Sequence, residues 1–332
     1  MRLDGIGRLL AGATLTFGLM SASAAGAAQL RYAHVGSEGD IQTQYASEFA
    51  DEIAKATNGS IVVKVFPNSQ LGGVAEMVDG VRMGAISMGH HDFASLARIA
   101  PDVSVFNAPF IYRSAGQTLA ATDPATSPVM QAINKQLIEK GGIRIIGRIY
   151  RGARQISSKF PVKSPADLAG KPFRAVPLDL WVSMVKGFGA VPTPVEVAEL
   201  PTALMTGLVV GQENPLTMIT ANKLYEVQSH VSMTSHMQSV LAVFINETVW
   251  KGLPEKDQKA LTQVLDKKAH DSLKWATEGE AELVRTLQAR GMKFITDKDG
   301  LDLDAFRTSV LKQIRTDFPN FGPYIDQIAA VK

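Results

Sequence analysis

The chain has 332 residues, 34 Lys and Arg against 32 Asp and Glu, a formal net charge of +2, and 45% hydrophobic residues. A near-neutral chain with no run of Lys or Arg argues against a nucleic-acid partner, and its length suits two domains or one large one with ample core. It contains no cysteine, which excludes a catalytic thiol, a thiolate zinc site and an iron–sulfur cluster.

Residues 1–28 differ in character from the remainder. Arg2 and Arg8 flank a short charged start, Leu9–Met20 is mostly apolar, and SASAAGAA closes the stretch with small residues. This is the pattern of a secretory signal peptide, with cleavage expected after Ala24 or Ala27. The apolar run falls short of the ~20 residues that a membrane anchor needs. Without the leader, 32 basic residues face 31 acidic ones, since two Arg and one Asp lie within it.

Leu30–His34 reads as a strand, Gln42–Thr57 as an amphipathic helix with Phe49 and Ile53 inward, and Ile61–Phe66 as a second strand. Val74–Gly84 is helical and Ala85–Met88 a third strand. Strand, helix, strand, helix, strand with short connections predicts a parallel, doubly wound sheet. Ligands bind such sheets beyond the carboxyl ends of the strands. Here the third strand leads into Gly89-His90-His91-Asp92, where His90 and Asp92 are candidate ligand contacts. A shared metal ion is not expected, because adjacent residues on a strand point to opposite faces. Phe110 lies in an apolar, loop-like segment. Gly116–Lys140 reads as mostly helical, Ile143–Tyr150 as a long strand, and Arg151-Gly152 as a crossing between domains. The next strand carries GARQISS and a second candidate, Arg154.

Residues 171–215 concentrate the chemistry. Arg174 sits on a short apolar run that stops at Pro177, and Leu178–Gly187 is helix-like with Trp181 near its start. Leu208–Gly211 reads as a buried strand ending in Gln212, Glu213, Asn214 and Pro215. An arginine at one strand end and an amide at the next suit a planar anion, because the guanidinium grips a carboxylate with two parallel bonds and the amide donates to its remaining lone pairs. Glu213 is expected to be structural, since a second acid at a carboxylate site repels the ligand. Further on, Val231–Ser235 and Ser239–Asn246 read as two strands, the second returning to the first domain. Pro254–Arg290 is free of internal proline and predicts a helix on the order of 50 Å long. Leu301–Asp317 and Tyr324–Val331 are terminal helices. No nucleophile elbow, phosphate loop, dinucleotide fingerprint or HExxH motif is present, so neither an enzyme nor a bound cofactor is expected.

SPADLAGKPFR, GFGAVPTPV and above all ALMTGLVVGQENP followed by YEVQ, together with NSQLGG near residue 70 and APFIYRS at 108–114, carry a resemblance over nearly the whole chain. The sequence resembles the solute-binding proteins of tripartite ATP-independent periplasmic (TRAP) transporters. One departure is Val210, where the family usually has an acid. The resemblance implies an α/β, two-lobed periplasmic binding protein, each lobe a mixed sheet flanked by helices, with a long helix spanning both. Residues 29–151 and 240–279 would form lobe I; residues 152–239 and 280–332 would form lobe II with the C-terminal helices. It implies Arg174 as the principal carboxylate anchor, Arg154 as a second cleft arginine and Asn214 as the amide completing the anion site. Trp181 and Phe110 would lie by the ligand or in the core. The implied protein is a periplasmic monomer that delivers a small carboxylic acid to membrane permease subunits. The alternative is a sensing subunit that presents the acid to a receptor. His90, Asp92, Asp179 and Trp181 favour a hydroxylated sugar acid, with a C4-dicarboxylate second.

Overall fold

The structure, a computed structural model, describes residues 27–331. The signal peptide read from the sequence lies outside them except for its last two residues. Strand β1 (Ala28–Ala33), helix α1 (Ile41–Ala56), β2 (Ile61–Phe66), α2 (Val74–Arg82) and β3 (Met88–Asp92) follow in the predicted alternation. Asp40 starts α1 by accepting the Gln42 N–H at 2.8 Å, satisfying a donor that the helix itself cannot. Tyr45, Phe49 and Ile53 recur every four residues and form the buried stripe of α1. β1 pairs in parallel with β2 and with β3. The third strand lies further along the chain than its apolar residues suggest: it is Met88–Asp92, so His90, His91 and Asp92 are strand residues rather than a strand-end loop.

The helical stretch after residue 115 is two helices, α3 (Ala115–Ala121) and α4 (Pro128–Gly141). Ser127 caps the second and Pro128 takes its first turn, which breaks the run read as one helix. Next come β4 (Ile143–Ser158), α5 (Pro165–Leu168), β5 (Pro172–Ala175), α6 (Asp179–Gly187), β6 (Val191–Pro194) and α7 (Leu200–Thr206). β7 (Gly211–Pro215), α8 (Leu216–Ala221) and β8 (His230–Asn246) complete the middle of the chain. They are followed by α9 (Glu247–Gly252), α10 (Glu255–Ala289), β9 (Lys293–Ile295), α11 (Leu303–Asp317) and α12 (Gly322–Ala330).

The fold is a two-lobed α/β architecture held on two long strands. β4 and β8 pair antiparallel from Ile143–Asn246 at one end to Ser158–His230 at the other. At 16 and 17 residues each extends roughly 50 Å and serves both lobes. The two separate strands read in residues 231–246 are therefore one. At one end, β3 joins β8 along Leu241–Ile245 and brings β1 and β2 with it. At the other end, β7 joins β4 and β9 joins β8, while β5 and β6 form a parallel pair of their own. Helix α10 spans the same length: Leu261, Leu265 and Ala269 pack with Tyr32 and Phe49, whereas Leu287 packs with Leu200 and Leu204. Its Lys268 is 2% exposed and its Nζ lies 2.6 Å from Glu52 and 2.8 Å from Glu48 and Asp271, so three carboxylates satisfy a buried ammonium that would otherwise be costly. None of the described helices is long and apolar enough to cross a membrane.

Candidate functional site

The pairing of β4 with β8 is broken at its centre. Tyr150 faces Val240 and Ala153 faces Gln238, leaving one extra residue on β4. Gly152 absorbs the bulge at φ +99°, a conformation that a side chain disfavours. The bulge sets Arg151 on the wall of a cavity between the lobes that encloses about 330 Å³ of atom-free space out to its mouth.

Two more arginines reach the same cavity. Arg154 Nε meets Glu213 Oε2 at 2.5 Å and Nη2 meets Oε1 at 2.7 Å, a bidentate pair with both side chains buried. Trp181 Nε1 donates to Glu213 Oε1 at 2.9 Å, and the Arg154 guanidinium lies 5.4 Å from the Trp181 ring centroid. His236 Nε2 is 3.0 Å from Glu213 Oε2. Burial works to raise the Glu213 carboxyl, but the Arg154 charge and hydrogen bonds from Arg154 and His236 outweigh it and bring it down to about 2.

Arg174, on β5, is 2% exposed and donates from Nε to the Val195 carbonyl at 2.9 Å. No carboxylate among the described residues lies within ion-pair distance of it. Burial lowers its guanidinium to about 10 despite the opposing field of Glu213. Asn214, on β7 beside it, donates from Nδ2 to Gln212 Oε1 at 2.6 Å. Gln212 in turn donates to Ser157 at 2.6 Å.

The opposite wall comes from the first three strands and their helices. His91 and Asp92 of β3, Gln42 of α1 and Val74 of α2 line it. His91 Nδ1 is 3.7 Å from Asp92 Oδ2, and Arg151 Nη2 is 3.8 Å from Asp92 Oδ1. Burial lowers the His91 imidazole to about 4, so it is neutral at ordinary pH. Glu196 completes the rim; its half-buried carboxyl is raised, chiefly by burial.

Of the residues singled out from sequence, Arg154, Arg174, Asn214 and Asp92 line this cavity, and His90, Trp181 and Phe110 do not. His90 points to the other face of β3, where its Nδ1 bonds Tyr32 Oη at 2.7 Å and its ring stacks on His34 at 4.6 Å. His91 takes the opposite face of β3 and lines the cavity, and Asp92 reaches it from the last position of the strand, where the chain turns away. Trp181 stands behind Arg154 as a donor to Glu213. Phe110 takes φ +59° and packs beneath Arg307 in a separate groove beside the C-terminal helices. Asp179 opens α6 and does not reach the cavity. Gln42, His91, Arg151 and Glu196 line it without having been singled out as contacts. The dipeptide Arg151-Gly152 was the one available signal, since a glycine at a strand crossing marks a bulge that re-aims its neighbour.

Comparison with known proteins fits this geometry. Residues 32–317 match the family described as bacterial extracellular solute-binding protein, family 7 (DctP). The chain belongs to this family. Its members are the solute-binding proteins of TRAP transporters, the kinship first suggested by the GQENP strand. The chain is similar to the 2,3-diketo-L-gulonate-binding periplasmic protein YiaO of Escherichia coli, with 30% identity over 299 residues covering 90% of this chain and 89% of that one. A TRAP periplasmic solute-binding protein of Roseobacter denitrificans, solved with bound L-galactonate, superposes with a TM-score of 0.83 at 30% identity over 91% of this chain and 99% of that one. A second R. denitrificans protein, solved with bound 3-deoxy-D-manno-oct-2-ulosonic acid, gives 0.85 at 29% identity over 92% of this chain and all of that one. All three relatives are described as periplasmic binding proteins, and each is named for, or solved with, a small sugar acid.

Proposed function

We propose that this protein captures a small organic acid by its carboxylate and delivers it to the membrane permease subunits of a TRAP transporter, after export to the periplasm by the leader at residues 1–28. The observation that carries the reading is Arg174. It is a buried guanidinium on a cavity wall with only Nε committed to the backbone and no ion-pair partner among the described residues. Burying such a charge is costly unless a partner arrives, and a ligand carboxylate matches its planar fork. Asn214 adds an amide beside it. Arg154 shapes the anion pole through its charge while Glu213 holds its fork. The acids named for the relatives, L-galactonate and 3-deoxy-D-manno-oct-2-ulosonic acid, support a sugar acid ahead of a C4-dicarboxylate.

Capture would proceed by closure of lobe I (29–151 and 240–279) on lobe II (152–239 and 280–332). A ligand held by Arg174 on one wall and by the Asp92 side on the other stabilises the closed state alone, so closure follows from differential affinity. Ligand at a hundredfold excess over its Kd adds about 2.7 kcal/mol of stability. A thermal-shift screen should find stabilisation by one class of small carboxylic acids and none by neutral sugars or amines. Small-angle scattering should then show a smaller radius of gyration with that acid. Stabilisation only by compounds without a carboxylate would overturn the proposal, and binding without compaction would remove the hinge.

A further inference from the structure

If Arg174 takes the ligand's carboxylate, the opposite pole of the cavity must receive the rest of the molecule. Its lining is polar and buried: Gln42 is 1% exposed, Asp92 and Arg151 3%, and His91 5%. Four atoms there, Gln42 Nε2, His91 Nδ1, Asp92 Oδ1 and Arg151 Nε, have no hydrogen-bond partner among the described residues. Arg151 stands 3.8 Å from Asp92, within ion-pair range but beyond a hydrogen bond, and its guanidinium otherwise donates only to Met218 Sδ at 3.7 Å. Four unpaired buried polar groups on one wall point to a ligand that pairs with them.

We propose that this pole reads hydroxyl groups and that Asp92 turns away a second carboxylate, so that the ligand is a polyhydroxylated monocarboxylate and C4-dicarboxylates are rejected. The proposal rests on the carboxylate reading of Arg174. The Gln42 amide and Arg151 Nε–H are donors, whereas Asp92 Oδ1 only accepts. A hydroxyl both donates and accepts, so neighbouring hydroxyls satisfy the whole set. A carboxylate accepts only; it would meet the donors but leave Asp92 unpaired and facing a like charge in a water-poor cavity.

The charges around the cavity point the same way. Arg151, Arg154 and Arg174 are matched by Asp92, Glu196 and Glu213, and Asp40 adds a further negative field at Arg151. One ligand carboxylate already leaves negative charge in excess. A second would be placed beside Asp92, whose charge already offsets that of Arg151, the cation nearest that pole among the described residues.

Calorimetry on the wild-type protein tests this with four sets of acids. They are four- to six-carbon aldonates of differing hydroxyl configuration, the aldarates with the same chain and hydroxyls but a second carboxylate, succinate, and butyrate as a hydroxyl-free monoacid. At least one aldonate should bind, with its aldarate and succinate weaker by about a hundredfold or more, as expected for juxtaposed like charges. Butyrate should also fall well below the aldonate. Asp92→Asn, checked for folding by its melting curve, should narrow the aldonate–aldarate gap at least tenfold, as loss of a like-charge repulsion predicts. Gln42→Leu gives a second measure that leaves the ion pair intact: it should weaken the aldonate and leave butyrate unchanged. Binding of succinate or an aldarate as tight as any aldonate would overturn the proposal, as would an unchanged gap in folded Asp92→Asn or equal losses for both acids in Gln42→Leu. If that tight binding disappears in Arg174→Ala, the carboxylate reading survives while this inference falls. If no carboxylate binds in an Arg174-dependent way, both fall.

Discussion

Arg154 and Arg174 line one cavity, are buried to the same degree, and differ in almost every other respect. The Arg154 fork is closed on Glu213, which also holds Trp181 and His236. Its guanidinium is raised above its ordinary value: burial pulls it down, and the Glu213 charge and hydrogen bonds more than reverse this. Arg174 has no carboxylate within ion-pair distance among the described residues and is lowered to about 10 by the same burial. An internally paired charge organises the cavity wall, and an unpaired one is left able to take a partner. Residue type and burial do not distinguish the two roles; the position of Glu213 does.

The largest test of that contrast is Arg154→Ala. It strands a fully buried carboxylate, and breaking such a pair costs about 3–5 kcal/mol, to be seen in denaturant unfolding of the ligand-free protein. Arg174→Ala should do the opposite. It should leave ligand-free stability nearly unchanged and cost about 2–5 kcal/mol of acid binding, mostly through faster dissociation. Arg174→Lys should also bind poorly in calorimetry, because an ammonium lacks the fork. If Arg154→Ala unfolds no more readily than Arg174→Ala, the division of roles fails.

A smaller effect should appear in the pH dependence of unfolding. His34 and His91 are both lowered from 6.5 to about 4 by burial. The unfolded chain therefore binds their protons first, and stability present above pH 6.5 is lost as the pH falls toward 4. The slope is about 1.4 kcal/mol per pH unit for each histidine over that range, and His91→Asn should remove one share of it. Glu213, lowered from 4.5 to about 2, contributes stability present above pH 4.5 that is lost as the pH falls from there through 2. The two windows separate the histidine wall from the glutamate hub in a single denaturation series.

Trp181→Phe keeps the ring over Arg154 but removes the indole N–H from Glu213. It should cost about 1–3 kcal/mol of stability for a donor lost to a buried charged acceptor, with little change in acid affinity. The smallest effect is expected from chelator, which should leave affinity unchanged. Metal-dependent binding restored by a divalent ion would show that His91 and Asp92 serve a cation and not a hydroxyl.

The sequence by itself determined the alternation of β1, α1, β2, α2 and β3, the long helix α10, and three of the residues that line the cavity, Arg154, Arg174 and Asn214. Those features follow from period and spacing within one segment, or from a run such as GQENP whose resemblance is strong. It misplaced β3 and β7 toward their apolar neighbours, because Met88–Asp92 and Gly211–Pro215 carry their polar residues inside the strand, facing a cleft instead of solvent. It could not assign His91 over His90, since alternation fixes that they face opposite ways but the register of β3 on β8 decides which one faces the cavity. Only the tertiary structure decided that Glu213 closes on Arg154 and leaves Arg174 free, and that a bulge at Gly152 brings Arg151 to Asp92. Both are contacts between strands that lie dozens of residues apart in the chain, and such contacts exist only once β4 and β8 have joined the two lobes.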